Sequence, residues 1–252
     1  MSLRITVITP SFNQAAYVER TLRSVLDQGY DDLEYLVVDG GSTDGSAEII
    51  ARYADRLAWW VSEPDRGQTD ALNKALRRAT GDVVGYVNSD DYLLPGALAE
   101  AAAVLERTGA SWMSGACRFV DGDTGEVDHV WTPSLPQGRR FSWMQQPWSV
   151  PQPSTFWRRE CFERHGLFRE DLHYVFDTEF MLRLAYAGEL PALTEREMAV
   201  RYLHAEAKSA DLAPFRREAR QLDRLLGDRL SPVERAQARL GRLALRLGFF
   251  RS

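Results

Sequence analysis

The stretch Asp82-Val83-Val84-Gly85-Tyr86-Val87-Asn88-Ser89-Asp90-Asp91-Tyr92 changes character abruptly, from a β-type run to a pair of adjacent carboxylates. Valine and tyrosine suit a pleated, buried surface, so residues 83–87 read as a strand. Asn, Ser and Asp are turn formers, so 88–91 reads as the loop at its end. Two neighbouring acids repel each other without a counter-ion, and a hard divalent cation such as Mg²⁺ or Mn²⁺ would relieve that repulsion. In isolation such a pair is more often a solvated turn. The residues upstream argue for more.

Working back from this strand, the same alternation recurs. Residues 4–9, 34–39 and 57–62 are β-type runs; 15–28, 44–53 and 68–79 carry helical periodicity, and 95–107 follows the acidic pair. Val18, Leu22, Val25 and Leu26 lie on one helical face. Ser42, Thr43 or Asp44 is placed to cap the second helix, Gly81 to close the third, and Pro95 to open the fourth. Four consecutive β–α units predict an α/β fold: a mainly parallel sheet covered by helices on both faces.

In such a sheet, ligands gather beyond the carboxyl ends of the strands. Those ends are Thr9-Pro10-Ser11-Phe12-Asn13, Asp39-Gly40-Gly41-Ser42, Glu63-Pro64-Asp65-Arg66-Gly67-Gln68 and Asn88-Ser89-Asp90-Asp91. All are polar and three carry acids. None has the Gly-x-Gly-x-x-Gly spacing of a dinucleotide site or the Gly-Lys-Ser/Thr ending of a P-loop. The sheet is of nucleotide-binding type, with phosphates expected on a metal rather than in a glycine cradle.

Composition narrows the class. The 252 residues suffice for one large domain or a domain with an appendage, and 44% apolar residues is ordinary for a core-forming protein. A net charge of −5 argues against a general nucleic-acid binder. Cys117 and Cys161 are too few and too isolated for a disulfide framework or zinc site. Met1-Ser2-Leu3-Arg4 lacks the build of a signal peptide, and no apolar run nears the ~20 residues of a membrane span. The expected location is the cytoplasm.

Taken in order, the strand-end segments resemble a family 2 glycosyltransferase of GT-A fold. The resemblance continues with Gln152-Pro153-Ser154-Thr155-Phe156 and Phe176-Asp177-Thr178-Glu179-Phe180-Met181-Leu182-Arg183, and covers roughly residues 3–210. It implies a nucleotide-binding half (1–108), an acceptor and catalytic half (109–212) and an appended tail (213–252). It implies, too, that Asp39 accepts a hydrogen bond from the nucleotide base and that Pro10, Ser11, Phe12 and Asn13 line base and ribose. Asp65, Arg66 and Gln68 approach the nucleotide from the third strand. Asn88-Ser89-Asp90-Asp91 stands where the family has Asp-x-Asp; the leading position is the uncharged Asn88, so Asp90 and Asp91 must ligate the metal. Asp177, six residues before Arg183, matches the catalytic base, with Glu179 in reserve. The residue before the base is often Glu in this family and is Phe176 here. His204 is implied as a further metal ligand, with Lys208 and Ser209 on phosphate oxygens.

The rest of the chain adds less. Residues 112–120 and 126–131 flank a turn and predict a hairpin. Residues 133–151 form a long irregular stretch of the kind that makes active-site lids, and its Trp143 and Trp148, with Gln152 just beyond, are candidates to meet the sugar or acceptor. Residues 213–252 carry ten arginines against Glu218, Asp223, Asp228 and Glu234, arranged as two basic amphipathic helices around Ser231-Pro232. Such helices either pack on the domain or lie on an anionic membrane surface, where lipid-linked acceptors reside. The family reading is transfer from a nucleotide-diphospho-sugar, with UDP the expected nucleotide, to a glycan or lipid-linked hydroxyl, inverting the anomeric carbon with Mn²⁺ or Mg²⁺. A sugar-nucleotide binder without turnover and a nucleotidyltransferase are the competing readings. The second needs a basic, glycine-rich phosphate loop, which residues 10–13 are not.

Overall fold

The computed structural model describes residues 3–134, 150–205, 207–208 and 212–227. The four predicted β–α units are present: β1 (Ile5–Ser11), α1 (Val18–Leu26), β2 (Leu33–Asp39), α2 (Ser46–Ala51), β3 (Trp59–Ser62), α3 (Gln68–Leu76), β4 (Val83–Tyr86) and α4 (Ala97–Thr108), with a two-residue β5 (Tyr92–Leu93) before α4. Then come β6 (Trp112–Asp121), β7 (Val127–Trp131), β8 (Thr155–Arg158), α5 (Arg159–His165), α6 (Phe176–Tyr186), β9 (Ala192–Leu203) and α7 (Leu212–Gly227).

One nine-stranded sheet runs β3-β2-β1-β4-β8-β6-β9-β5, with β7 on β6. The first four strands are parallel, with Ile5 opposite both Leu33 and Val83. Beyond β4 the sheet is mixed: β8 runs antiparallel between β4 and β6, and β9 returns parallel to β6. The predicted hairpin is β6–β7, with Cys117 opposite Trp131.

Strand alternation sorts the apolar residues into two cores. Val7, Tyr35 and Val37 face α1, α2 and α4; Ile8, Leu36 and Val38 face α3, α5 and α6. Both faces are covered, which explains why the strands read as continuous apolar runs. Leu222 of α7 is buried in the second core, so the start of the arginine-rich segment packs on the domain. Residues 228–252, with the second predicted tail helix, lie outside the described residues. No helix among the described residues is long and apolar enough to cross a membrane.

Three cap readings change. Pro95 lies before the Gly96 N-cap of α4 rather than in its first turn. Asp44 does not stand at the N-cap of α2; Gly45 does, while the Asp44 carboxylate accepts the amides of Ser46 (3.0 Å) and, across the loop, Ala15 (2.8 Å). Helix α3 ends at Arg77, and Gly81 serves close approach: a Cβ there would lie 2.7 Å from the Thr6 amide nitrogen and 2.9 Å from the Arg4 carbonyl oxygen.

Candidate active site

Because β1 and β4 run parallel as neighbours, their carboxyl ends open on the same side of the sheet. A cavity of about 570 Å³ lies there. Pro10 and Phe12 enter it from β1, Gln68 from the start of α3, and Asn88, Ser89, Asp90 and Asp91 from the loop after β4. Gln152 comes from the segment before β8, Asp177 and Thr178 from α6, and Arg201 and Tyr202 from β9. Phe12 is 59% exposed, an apolar ring held open at the mouth.

The adjacent acids have different surroundings. Asp91 is 3% exposed; it accepts the Tyr202 amide on Oδ1 and the Asn88 side-chain amide on Oδ2, each at 3.1 Å. Burial, with the Asp90 charge beside it, pushes its carboxyl up to about 7. The repulsion between the pair is thus relieved by a proton when no cation is present. Asp90 turns Oδ2 toward His204 Nε2 at 3.2 Å. His204 is itself buried against Tyr17, ring centroids 4.4 Å apart, and its Nδ1 has no partner among the described residues. Arg20, stacked on Tyr92 and Tyr202, donates to the Asp90 carbonyl at 3.1 Å and steadies the loop.

The residues that could hold a divalent ion of the Mg²⁺/Mn²⁺ kind are Asp90, whose carboxylate lines the cavity, and His204, which does not line it but turns Nε2 to Asp90 Oδ2. Among the described residues no three His, Cys, Asp or Glu side chains gather into a complete cage, so most positions of a six-coordinate ion fall to ligand oxygens and water.

On the other wall, Asp177 lies in the first turn of α6 and accepts the Thr178 amide at 2.6 Å. Burial raises its carboxyl above the ordinary range, and Arg201 and Lys208 pull the other way. Both Asp177 and Asp91 act on the buried Tyr86 phenol, which burial first and then these charges push well above its usual value. Lys208 donates to Gln68 Oε1 at 2.8 Å and to the His173 carbonyl, and Gln68 donates in turn to Asn88 at 2.6 Å.

The family model described as Glycosyl transferase family 2 matches residues 6–190. An uncharacterized glycosyltransferase of Mycobacterium tuberculosis is 32% identical over 190 residues, 73% of this chain and 70% of that protein. The chain belongs to glycosyltransferase family 2. A Bacillus subtilis protein named as a teichuronic acid biosynthesis glycosyltransferase is 42% identical over 90 residues, 34% of this chain and 36% of that one. Among solved structures, S. aureus TarS 1–349 in complex with UDP-GlcNAc has a TM-score of 0.73 at 20% identity, over 98% of this chain and 73% of that one. The mannosyltransferase PcManGT from Pyrobaculum calidifontis, in complex with GDP-Man and Mn²⁺, has a TM-score of 0.70 at 24% identity, over 98% and 71%. These likenesses confirm the GT-A fold.

Within this family 2 glycosyltransferase, several residues singled out in the sequence stand elsewhere than expected. Arg66 does not reach the cavity: its side chain is 75% exposed and pairs with Asp70 (3.1 Å) and Glu170 (2.6 Å). Replacing Arg66 with alanine is therefore expected to leave the donor KM within about twofold, measured by nucleoside diphosphate release. A tenfold rise would return Arg66 to the phosphates. Glu179 is buried in an ion pair with Arg183 and lines no part of the cavity, so it is no reserve base.

Asp39 is fully buried and its carboxylate already holds four donors: the amides of Gly41 and Ser42 and the hydroxyls of Ser42 and Ser62. It organises the turn, with Oδ2 taking three of these donors and Oδ1 the Ser42 hydroxyl, and it does not line the cavity. Asp65 packs over Gly40, where a Cβ would lie 2.7 Å from its Oδ2, and accepts the Gly67 amide. Asn13, at φ 51°, bonds Ser42 and Thr43 and ties β1 to the same turn. Ser11 is buried with a hydroxyl that finds no partner among the described residues. Neither Ser11 nor Asn13 lines the cavity. Trp143, Trp148 and Ser209 lie outside the described residues. The sequence reading missed Arg201 and Phe215 as cavity residues. Arg201 carries a usable signal, a cation three positions before His204 in the same segment.

Proposed function

We propose that the protein transfers a sugar from a nucleotide-diphospho-sugar, UDP the favoured carrier, to a hydroxyl of a glycan or lipid-linked acceptor, with inversion at the anomeric carbon. One observation carries this reading: Asp90 and Asp177, 87 positions apart in sequence, line a single cavity at the carboxyl ends of the parallel strands. The GT-A neighbours bound to UDP-GlcNAc and to GDP-Man with Mn²⁺ support the donor class and the metal. The teichuronic acid relative supports a role in building cell-surface glycan.

In this proposal Phe12 stacks on the base, and Pro10 with the turn around Asp39 walls it in. Asp90 and His204 would hold a divalent ion of the Mn²⁺ or Mg²⁺ kind, which would supply positive charge against the departing diphosphate. Lys208 and Arg201 bring positive charge to the same cavity. Asp177 takes the proton of the acceptor hydroxyl as it attacks the anomeric carbon; its raised pKa makes the ionised form a stronger base than an ordinary carboxylate. With the leaving diphosphate on one face and the base on the other, a single displacement inverts the centre, as in one-step glycoside chemistry.

Residues 1–108 then form the nucleotide half and 109–212 the acceptor half. The place of work proposed is the cytoplasm, with the arginines of 213–252 as the contact to an anionic membrane. A panel of UDP-, GDP- and dTDP-sugars with Mn²⁺ identifies the donor by melting shift, and proton NMR of the product reads the anomer. A product that retains the donor's anomeric configuration overturns the one-step scheme.

A further inference from the structure

The loop entering α6 is held from outside by the tail helix. Glu218 on α7 accepts three successive backbone amides: His173 at 2.9 and 3.0 Å, Tyr174 at 2.6 Å and Val175 at 3.2 Å. Val175 is the N-cap of α6 and makes no side-chain cap of its own. The carbonyls of this loop are taken from the opposite quarter. Thr69 donates to Leu172 at 2.9 Å, and Lys208 to His173. The loop is therefore clamped on both its donor and acceptor edges, two residues before Asp177. Phe215, three positions before Glu218 on α7, lines the cavity, while Leu222, four positions after, is buried in the core. One face of α7 thus meets the cavity, the loop and the core in turn.

We infer that Glu218 is a positioning residue for the transfer reaction. Its carboxylate fixes the first turn of α6, and with it the angle at which Asp177 meets the acceptor hydroxyl. The inference rests on Asp177 as the base. A carboxylate that gathers three backbone amides makes charge-assisted bonds, stronger than neutral ones. The rest of α6 has anchors of its own: Phe180 and Leu184 are fully buried, and Arg183 donates to the carbonyls of His165, Gly166 and Leu167. Loss of Glu218 then loosens the first turn and leaves the helix standing. A displacement of ~1 Å at a reacting group is enough to cost about 10²-fold in rate.

The test uses the full chain with Glu218→Ala, Glu218→Gln, Asp177→Asn and the double variant Asp177→Asn/Glu218→Ala. Steady-state kinetics of nucleoside diphosphate release and calorimetric titration of UDP are read for each, below the melting temperature. Glu218→Ala is expected to lower kcat about 10- to 100-fold, with the donor KM and UDP affinity within about twofold. Glu218→Gln can place its amide oxygen where Oε2 takes all three amides, so it recovers most of the rate; it also serves if the alanine variant folds poorly. In the Asp177→Asn background the alanine change is expected to cost nothing more, because there is no base left to misplace. A kcat unchanged in Glu218→Ala, or a multiplicative loss in the double variant, overturns the positioning role. Full turnover in Asp177→Asn alone overturns the base assignment instead, so the two failures are told apart.

Discussion

Replacing Asp177 with asparagine is expected to lower kcat by about 10²- to 10⁴-fold while the donor still binds, a rise in the barrier of roughly 3–5 kcal/mol. Asparagine has nearly the shape of aspartate, and its carbonyl oxygen can still accept the Thr178 amide that Asp177 accepts at 2.6 Å. What it cannot do is take a proton. The fold should tolerate the change, since burial already disfavours the charged form at this position. The same burial sets the pH dependence. In the proposed scheme the ionised carboxylate is the active form, and its pKa is raised, so activity is expected to fall as pH drops through a point above the ordinary carboxylate range near ~3.9. The acid limb of the kcat profile should therefore sit higher than for an exposed aspartate and disappear from the residual rate of the variant. Stopped nucleoside diphosphate release across pH, with UDP titrated calorimetrically into both proteins, checks both statements. Parent-like turnover in Asp177→Asn rules Asp177 out as the base.

The parallel half of the fold was legible because local signals and global topology agree there. Residues 83–87 looked like a strand for the reason that β4 is one: valines that pack on both faces of a sheet. Four such runs separated by helical faces leave little freedom for the chain other than a parallel sheet, and that places the polar strand ends together. The second half offered no such rule. That β8 inserts antiparallel between β4 and β6 depends on pairings such as Val84 with Trp157, 73 residues apart, which no periodicity announces.

At the site the same divide appears. Residue identity marked Asp90 and Asp91 together, and both line the cavity, but which partners each carboxylate meets is decided by a turn, where side chains follow no period. Glu179 and Arg66 were misplaced although the sequence held the warning. Glu179 and Arg183, and likewise Arg66 and Asp70, are opposite charges four residues apart, able to satisfy each other locally. Asp39 was read through its family role; three of its four donors come from its own turn, whose sequence, Asp-Gly-Gly-Ser, already allowed that bonding, and the fourth is Ser62 of β3. Glu218 gave no local sign, because its partners lie 43 to 45 residues away.

The two carboxylates after β4 should respond differently to the same replacement. Asp90→Asn removes the cavity-facing charge opposite His204 and is expected to abolish the rise in melting temperature that Mn²⁺ gives in the presence of UDP. The accompanying loss in kcat/KM is expected on the order of 10³-fold, several kcal/mol of charge stabilisation at the diphosphate. Without metal its stability should stay close to the parent's, since the Arg20 bond goes to the backbone carbonyl and survives. Asp91→Asn acts on the fold. Its carboxylate accepts the Tyr202 and Asn88 amides, and an asparagine turns a donor toward one of them, an unmade buried bond worth ~1–3 kcal/mol. Against that loss stands relief of a carboxyl pushed up to about 7. An acid with a raised folded-state pKa holds a proton that the unfolded chain releases. The metal-free protein should therefore lose stability as pH climbs from about 4 to about 7, by up to a few kcal/mol, and level off above. That slope should shrink in Asp91→Asn, the remainder belonging to the raised carboxyl of Asp177, and flatten in the parent when Mn²⁺ and UDP are bound, because a nearby cation favours the ionised pair. Melting curves across pH, with and without Mn²⁺ and UDP, separate the two roles; a full metal response in Asp90→Asn would remove Asp90 from the metal site.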